Sequence, residues 1–186
     1  MRCRILVLGW ITLLVFPIPA FLLLHIQEGM DFFDFISLKT FQIIPIGFGL
    51  QLGFVYGLFA YLMMSAPFFD KVPNRVEHTV QSMNLKWYDG IFLSVCAGIG
   101  EELLFRVGIQ YYLGWLPTAI IFVAIHGYLN PWNWRFSIYG ILLLPFIFLL
   151  SVGIYTFGIW FAISAHFMYD AVLFSILINK KVKHVE

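Results

Sequence analysis

Six long apolar runs, separated by short polar stretches, dominate the chain. The runs cover residues 5–24, 43–66, 88–112, 116–129, 136–152 and 156–178. A helix needs about 20 apolar residues to cross the hydrocarbon core of a bilayer, whereas the strands of a membrane barrel alternate over about 10 residues. The unbroken runs therefore predict an all-α polytopic membrane protein with about six transmembrane helices.

The amino-acid composition is typical of a membrane protein and excludes several classes of function. Of the 186 residues, 61% are hydrophobic and 11% are charged, and the mean hydropathy is +0.89, whereas soluble domains are roughly one-quarter charged. The net charge of +1 argues against a nucleic-acid partner, which requires a basic patch. The two cysteines, Cys3 and Cys96, predict neither a disulfide framework nor a thiolate metal site. We expect a single integral membrane domain over 1–186, with its function inside the bilayer or at its edge.

Charged residues between the runs predict the orientation of the helices. The segment 28–42 is mainly acidic, whereas basic residues predominate in 70–87 and 179–183. Lysine and arginine favour the cytoplasmic side, so six crossings bring both termini to the cytoplasm. The first run is longer than the core of a typical secretory signal, and we expect it to be retained as a helix.

A few polar side chains interrupt the apolar runs. They are Glu101, Glu102 and Arg106 in the third run, His126 in the fourth, and His166 and Asp170 in the sixth. A charged residue at the centre of a span costs on the order of 2.5–3.5 kcal/mol on insertion scales, so such residues normally face the protein interior and mark function. The sequence therefore predicts a polar catalytic cavity inside the helical bundle.

The spacing of these residues suggests different roles for the two glutamates. Glu102 and Arg106 are four residues apart with the acid first, the favourable order for an ion pair on one helical face. Glu101 is rotated by about 100° from Glu102 and away from the arginine, which makes it the better candidate for a catalytic base. The small residues of 97–100 should let neighbouring helices, and with them the histidines, approach this carboxylate.

Two kinds of chemistry suit one glutamate and two histidines on separate helices. In the first, Glu101 and one histidine deprotonate a water molecule, and the other histidine stabilises the oxyanion. In the second, Glu101, His126 and His166 bind zinc and activate its water. The residues alone also leave open a structural role between helices and a proton or ion relay in a transporter.

Three motifs occur in order along the chain. Residues 101–106 read Glu-Glu-Leu-Leu-Phe-Arg and match E-E-x-x-x-R, residues 122–126 match F-x-x-x-H, and residues 166–170 match H-x-x-x-N with Asp in the last place. The chain thereby resembles the CAAX protease and bacteriocin-processing (CPBP) family. The resemblance covers 88–178 as a catalytic core and leaves 1–87 as two accessory helices and a cytoplasmic loop.

The resemblance implies a glutamic-type intramembrane endopeptidase, a peptide hydrolase. By position, Glu101 would activate water together with His126, and His166 and the residue at 170 would form the oxyanion site. Glu102, Arg106 and Phe122 would then have supporting roles. The departure is Asp170, because an ionised carboxylate would repel an oxyanion. Asp170 must therefore be protonated, orient His166 or mark altered activity.

The resemblance also bears on cofactors and partners. It favours catalysis with no metal and no other cofactor, with zinc as the less favoured alternative. The substrate would be a membrane-associated or secreted protein or peptide, and the compact size is similar to prokaryotic members of the family, which implies a bacterial inner membrane. A non-proteolytic binding or immunity protein and a proton-coupled transporter are the alternative functions.

Overall fold

The computed structural model describes residues 1–37, 41–66, 80–129, 132 and 134–179, without the side chains of 135 and 136. Regular structure in these residues is helical, with no strand, and the all-α prediction is confirmed. In chain order the helices are α1 Arg2–Leu14, α2 Pro17–Glu28, α3 Phe32–Phe35, α4 Ile43–Met64, α5 Trp87–Glu102, a π-helical segment Leu103–Ile109, α6 Gln110–Leu113, α7 Trp115–Ile125, α8 Trp134–Phe157 and α9 Ile159–Asn179.

Four helical stretches in the described part of the chain are long and apolar enough to cross a membrane. They are Arg2–Glu28, Ile43–Met64, Ser137–Phe157 and Ile159–Asn179. The third predicted run is also helical from Trp87 to Leu113, but its middle carries charged side chains. The fourth, α7, has 11 residues, about 16 Å at 1.5 Å per residue, roughly half the hydrocarbon thickness. The structure is thus compatible with about six spans, although α7 is too short to cross alone.

Three predicted helix boundaries are wrong, and a proline or glycine lies at each of the observed ones. The first run is two helices, because Pro17 has no N–H to continue the ladder and instead begins α2. The fourth run ends at Ile125 rather than 129, and Gly127 then turns the chain with a φ of 76°. The fifth run extends to Phe157, beyond the predicted end at 152, and Gly158, with a φ of 77°, separates it from α9.

Contacts between helices define their relative directions. Arg2 binds Asp89 near the start of α5, and Gln27 binds Tyr112 in α6, so the first span runs parallel to the third. Phe174 packs at Gly90, near the start of α5, so α9 runs antiparallel to it. These directions agree with the alternating order of the predicted spans.

The absolute orientation in the membrane stays a prediction. Most of the residues on which it depends lie outside the described part of the chain, namely Lys39, Lys71, Arg75, Lys180, Lys181 and Lys183. The cytoplasmic placement of the termini and the bacterial inner membrane are therefore untested. The division into accessory helices (1–87) and catalytic core (88–178) likewise stays a prediction.

Glycine residues allow α4 to lie directly against α9. A Cβ at Gly49 would lie 2.3 Å from the Phe161 carbonyl oxygen, and a Cβ at Gly53 would lie 2.1 Å from that of Ala165. Small residues four apart permit such close backbone approach between membrane helices. This contact with α4 holds α9, the helix that carries His166 and Asp170, in place. The α4–α9 contact was not predicted from the sequence.

The small residues before the two glutamates act as predicted. A Cβ at Gly98 would lie 3.0 Å from the Ile163 carbonyl oxygen and 3.1 Å from the Phe167 backbone nitrogen, so α5 meets α9 on both sides of His166. Gly100 lies against the backbone of Thr12 in α1. The prediction that 97–100 lets neighbouring helices approach is therefore confirmed.

Gly53→Ala should destabilise the protein, whereas Gly47→Ala on the same helix should not. The new Cβ at Gly53 would collide with the α9 backbone, and a Cβ at Gly47 would meet no atom within 4 Å. Overpacking typically costs about 1–3 kcal/mol, while alanine is intrinsically the better helix former. Thermal unfolding in detergent measures the difference. Equal midpoints for the two variants would contradict this account of the α4–α9 contact.

Candidate active site

Four helical elements enclose a cavity of about 150 Å³ within the bundle. Its lining residues are Glu101, Phe122, Val123, His126, Tyr128, Leu143, Phe146, Ile147, His166, Tyr169 and Asp170. The structure thus brings together the four side chains predicted to be catalytic, although they come from α5, the end of α7 and α9. Their chemical roles stay predictions.

The Glu101 and His126 side chains lie next to each other at the edge of the cavity. His126 Nε2 lies 3.5 Å from Glu101 Oε2, beyond the usual range of a direct hydrogen bond. His126 Nδ1 lies 2.7 Å from the Phe122 carbonyl oxygen. Because a carbonyl only accepts, Nδ1 carries the proton, and Nε2 of the neutral ring is an acceptor. Glu101 Oε2 is buried without a hydrogen-bond partner in the described residues, so two acceptors converge on one point.

Glu102 has a different environment from its neighbour. Its side chain is fully buried, and Oε2 accepts a hydrogen bond of 2.8 Å from Arg106 Nε, which confirms the predicted ion pair. Oε1 accepts a second hydrogen bond of 2.8 Å from His166 Nδ1. Glu102 therefore links the arginine on its own helix to the histidine of α9. The sequence contained no signal for this second contact, because it joins residues 64 positions apart.

His166 lies between two carboxyl groups. Nδ1 donates to Glu102, and Nε2 is 3.6 Å from Asp170 Oδ2. His166 and Asp170 are four residues apart on α9, and both line the cavity, as their spacing predicted. The Glu102 contact assigns the Nδ1 proton, so the neutral imidazole directs an acceptor nitrogen toward Asp170 and the cavity.

Phe122 packs among the charged groups of the site. The Arg106 guanidinium lies over its ring at 5.1 Å, and the His126 and His166 rings lie at 4.5 and 5.8 Å between centroids. The ring thus contacts the arginine and both histidines and provides a cation–π contact inside a low-dielectric interior. This placement agrees with a supporting role for Phe122.

The helix changes geometry directly after the two glutamates. Leu103–Ile109 forms a π-helix, in which hydrogen bonds connect residues five apart. Such segments are rare and frequently occur at functional sites. Arg106 lies within this segment, and the Gly108 Cα allows Ala20 of α2 to pack against it. The hydrophobic pattern predicted only an ordinary helix here.

Several residues of the cavity wall were not predicted from the sequence. Tyr128 and Tyr169 line it beside the histidines, and Leu143, Phe146 and Ile147 of α8 form an apolar side. Their proximity to His126 and His166 in sequence was the only signal for the two tyrosines. Asp170 also borders a second pocket of about 200 Å³ between α1, α5 and α9, whose other lining residues are almost all apolar.

The ligand arrangement for zinc is not present in the described residues. They contain no group of three or more His, Cys, Asp or Glu side chains that is arranged to hold a metal ion. His166 Nε2 lies 3.6 Å from Asp170 Oδ2. Catalysis without a cofactor, with zinc on Glu101, His126 and His166 as the alternative, stays a prediction.

Comparison with known proteins shows a family to which part of the chain is similar. A family model described as type II CAAX prenyl endopeptidase Rce1-like matches residues 83–172, which contain all three sequence motifs. The match confirms the family resemblance that these motifs indicated. No curated protein and no solved structure matches the chain.

Glu102→Gln should destabilise the fold, because it leaves the buried Arg106 charge uncompensated. Removing one partner of a buried ion pair typically costs about 3–5 kcal/mol. Glu28→Gln is the matched control, since Glu28 is exposed and accepts a hydrogen bond from Tyr111 at the end of the bundle. Unfolding in detergent should show a large loss of stability for the first variant and a small one for the control. Similar losses in both variants would contradict the structural role of Glu102.

Proposed function

We propose that this membrane protein hydrolyses a peptide bond in a membrane-associated or secreted protein or peptide, because residues 83–172 match a family model described as type II CAAX prenyl endopeptidase Rce1-like. The observation that carries the proposal is the Glu101–His126 pair. Two acceptor atoms, Glu101 Oε2 and His126 Nε2, lie 3.5 Å apart at the edge of a cavity inside a membrane bundle. A water molecule, which has two O–H donors, is the nucleophile that such a pair would bind.

The proposed reaction begins with a water molecule hydrogen-bonded to Glu101 and His126. Its oxygen forms a bond to the substrate carbonyl carbon while one of its protons passes to the Glu101–His126 pair, and the carbonyl π electrons move to oxygen. When the tetrahedral intermediate collapses, the C–N bond breaks and the same proton passes to the departing amine. The Nδ1 hydrogen bond to Phe122 keeps the acceptor nitrogen of His126 directed at the water.

His166 and Asp170 are proposed to act on the opposite side of the carbonyl. The ring of His166 can donate into the cavity only when Nε2 also carries a proton, because Nδ1 already donates to Glu102. The Asp170 carboxyl, 3.6 Å from Nε2, is beyond the range of a direct hydrogen bond but close enough for its charge to favour that proton. A positive charge on the His166 ring would offset the repulsion between Asp170 and the oxyanion, and Asp170 would then orient His166. Glu102, Arg106 and Phe122 would hold this arrangement in place.

The class of substrate follows from the surroundings of the cavity. The apolar pocket between α1, α5 and α9 adjoins Asp170, so a substrate with an apolar anchor could approach the site from the lipid. The family name refers to prenylated CAAX proteins, whereas a largely apolar lining of this kind suits any apolar anchor. The proposal therefore requires an apolar or membrane-bound substrate but not a prenyl group.

Glu101→Gln should abolish proteolysis without unfolding the protein, because the amide cannot accept the proton of the attacking water. The measurement compares protein termini by mass spectrometry in the membrane and secreted fractions of cells that produce the wild type, Glu101→Gln or the exposed control Glu28→Gln. Termini generated by the protease should be present in the wild type and the control and absent from Glu101→Gln. Identical termini in all three, with equal membrane insertion, would overturn the proposal and favour a binding or transport function.

Chelators should leave the activity unchanged, because no step of the proposed reaction uses a metal. The assay is cleavage by the purified wild type of a peptide that spans the site identified from the changed termini, before and after treatment with a zinc chelator. A loss of activity that added zinc restores would instead support a zinc enzyme.

A further inference from the structure

The cavity contains more hydrogen-bond acceptors than donors. Glu101 and Asp170 contribute carboxyl oxygens, and both histidines use Nδ1 for a hydrogen bond outside the cavity, to Phe122 and Glu102 respectively. In their neutral forms the imidazoles therefore direct only acceptor nitrogens inward. A developing oxyanion needs the opposite, namely donors fixed about 2.7–3.1 Å from its oxygen. Among the described lining residues, the other side chains with a donor are Tyr128 and Tyr169.

Tyr128 is the better placed of the two tyrosines. Its ring is nearly parallel to that of His126, at an angle of 7° and a centroid distance of 6.2 Å. Its hydroxyl lies in the electrostatic field of both Asp170 and Glu101, the two carboxyl groups between which the substrate carbonyl would have to lie. The Tyr169 hydroxyl also lies in the electrostatic field of Asp170, but it is hydrogen-bonded to Tyr139 on α8.

The backbone on both sides holds Tyr128 in this position. Gly127 has a φ of 76°, a conformation that side-chain-bearing residues rarely adopt, and it reverses the chain directly after His126. On the other side, a Cβ at Gly140 of α8 would lie 2.7 Å from both the Cβ and the carbonyl oxygen of Tyr128. The two glycines thus place the tyrosine against α8 and beside the histidine.

We propose that Tyr128 is a further catalytic residue, whose hydroxyl donates a hydrogen bond to the oxyanion formed from the substrate carbonyl. This assignment rests on the proposed function. The hydroxyl keeps its proton throughout and supplies a neutral donor beside the His166 ring, which can donate into the cavity only when Nε2 also carries a proton. Because the oxyanion exists only after water has attacked, the contact raises kcat and contributes little to substrate binding.

Tyr128→Phe tests the assignment, since it removes only the hydroxyl and keeps the ring beside His126. Loss of one oxyanion donor typically lowers kcat by about 10²–10³-fold, and we expect that loss with KM nearly unchanged. Tyr112→Phe is the matched control, because it removes a hydroxyl that binds Gln27 outside the cavity. The assay measures cleavage of the peptide spanning the site identified from the changed termini, with the purified proteins in vesicles and with unfolding midpoints recorded.

The outcomes separate this assignment from the proposed function. A wild-type kcat in Tyr128→Phe, or a change confined to KM, would overturn the role of Tyr128. If Glu101→Gln were inactive in the same assay, the proposed protease function would still stand. Full cleavage by Glu101→Gln would overturn the proposed function and with it the assignment of Tyr128. A fall in kcat for Tyr128→Phe alone, at an unchanged unfolding midpoint, would support it.

Discussion

The buried carboxylate of Glu102 is the interaction on which the rest of the site depends. It is the only described side chain that binds both Arg106 and His166, and it does so with one oxygen for each. A lone arginine in this interior would be a costly uncompensated charge, and a lone histidine would be free to rotate. The Glu102 carboxylate compensates the charge of Arg106 and holds the His166 ring in one orientation. It also determines that Nε2 is the His166 nitrogen that faces the cavity.

Because Glu102 binds Arg106 and His166, Glu101 does not have to compensate either of them. Adjacent residues on a helix point about 100° apart, so only one of the two glutamates can face the arginine. Glu101 instead faces His126, whose own orientation is fixed by the Phe122 carbonyl. The pair of glutamates thus separates structural stabilisation from the chemistry that we propose. The glycine contacts between α4, α5 and α9 bring the participating helices close enough for this arrangement.

Much of this architecture was predictable from local sequence patterns. Apolar run lengths predict the helices, the i, i+4 spacing predicts the Glu102–Arg106 pair, and the small residues at 97–100 predict close packing. The Glu102–His166 hydrogen bond was not predictable, because it depends on how two helices meet rather than on spacing within one. The same applies to the wall that α8 contributes to the cavity. The end of α7 and the position of Tyr128 depend on the left-handed conformation of Gly127, for which a single glycine gives only a weak signal.

The central claim is that Glu101 and His126 together hold the attacking water. A high-resolution density map of the wild-type protein in lipid tests it most directly. The account predicts one water molecule within hydrogen-bond distance of both Glu101 Oε2 and His126 Nε2, with His126 Nδ1 still bonded to the Phe122 carbonyl oxygen. A metal ion at that point, or a direct Glu101–His126 hydrogen bond that leaves no room for water, would contradict it.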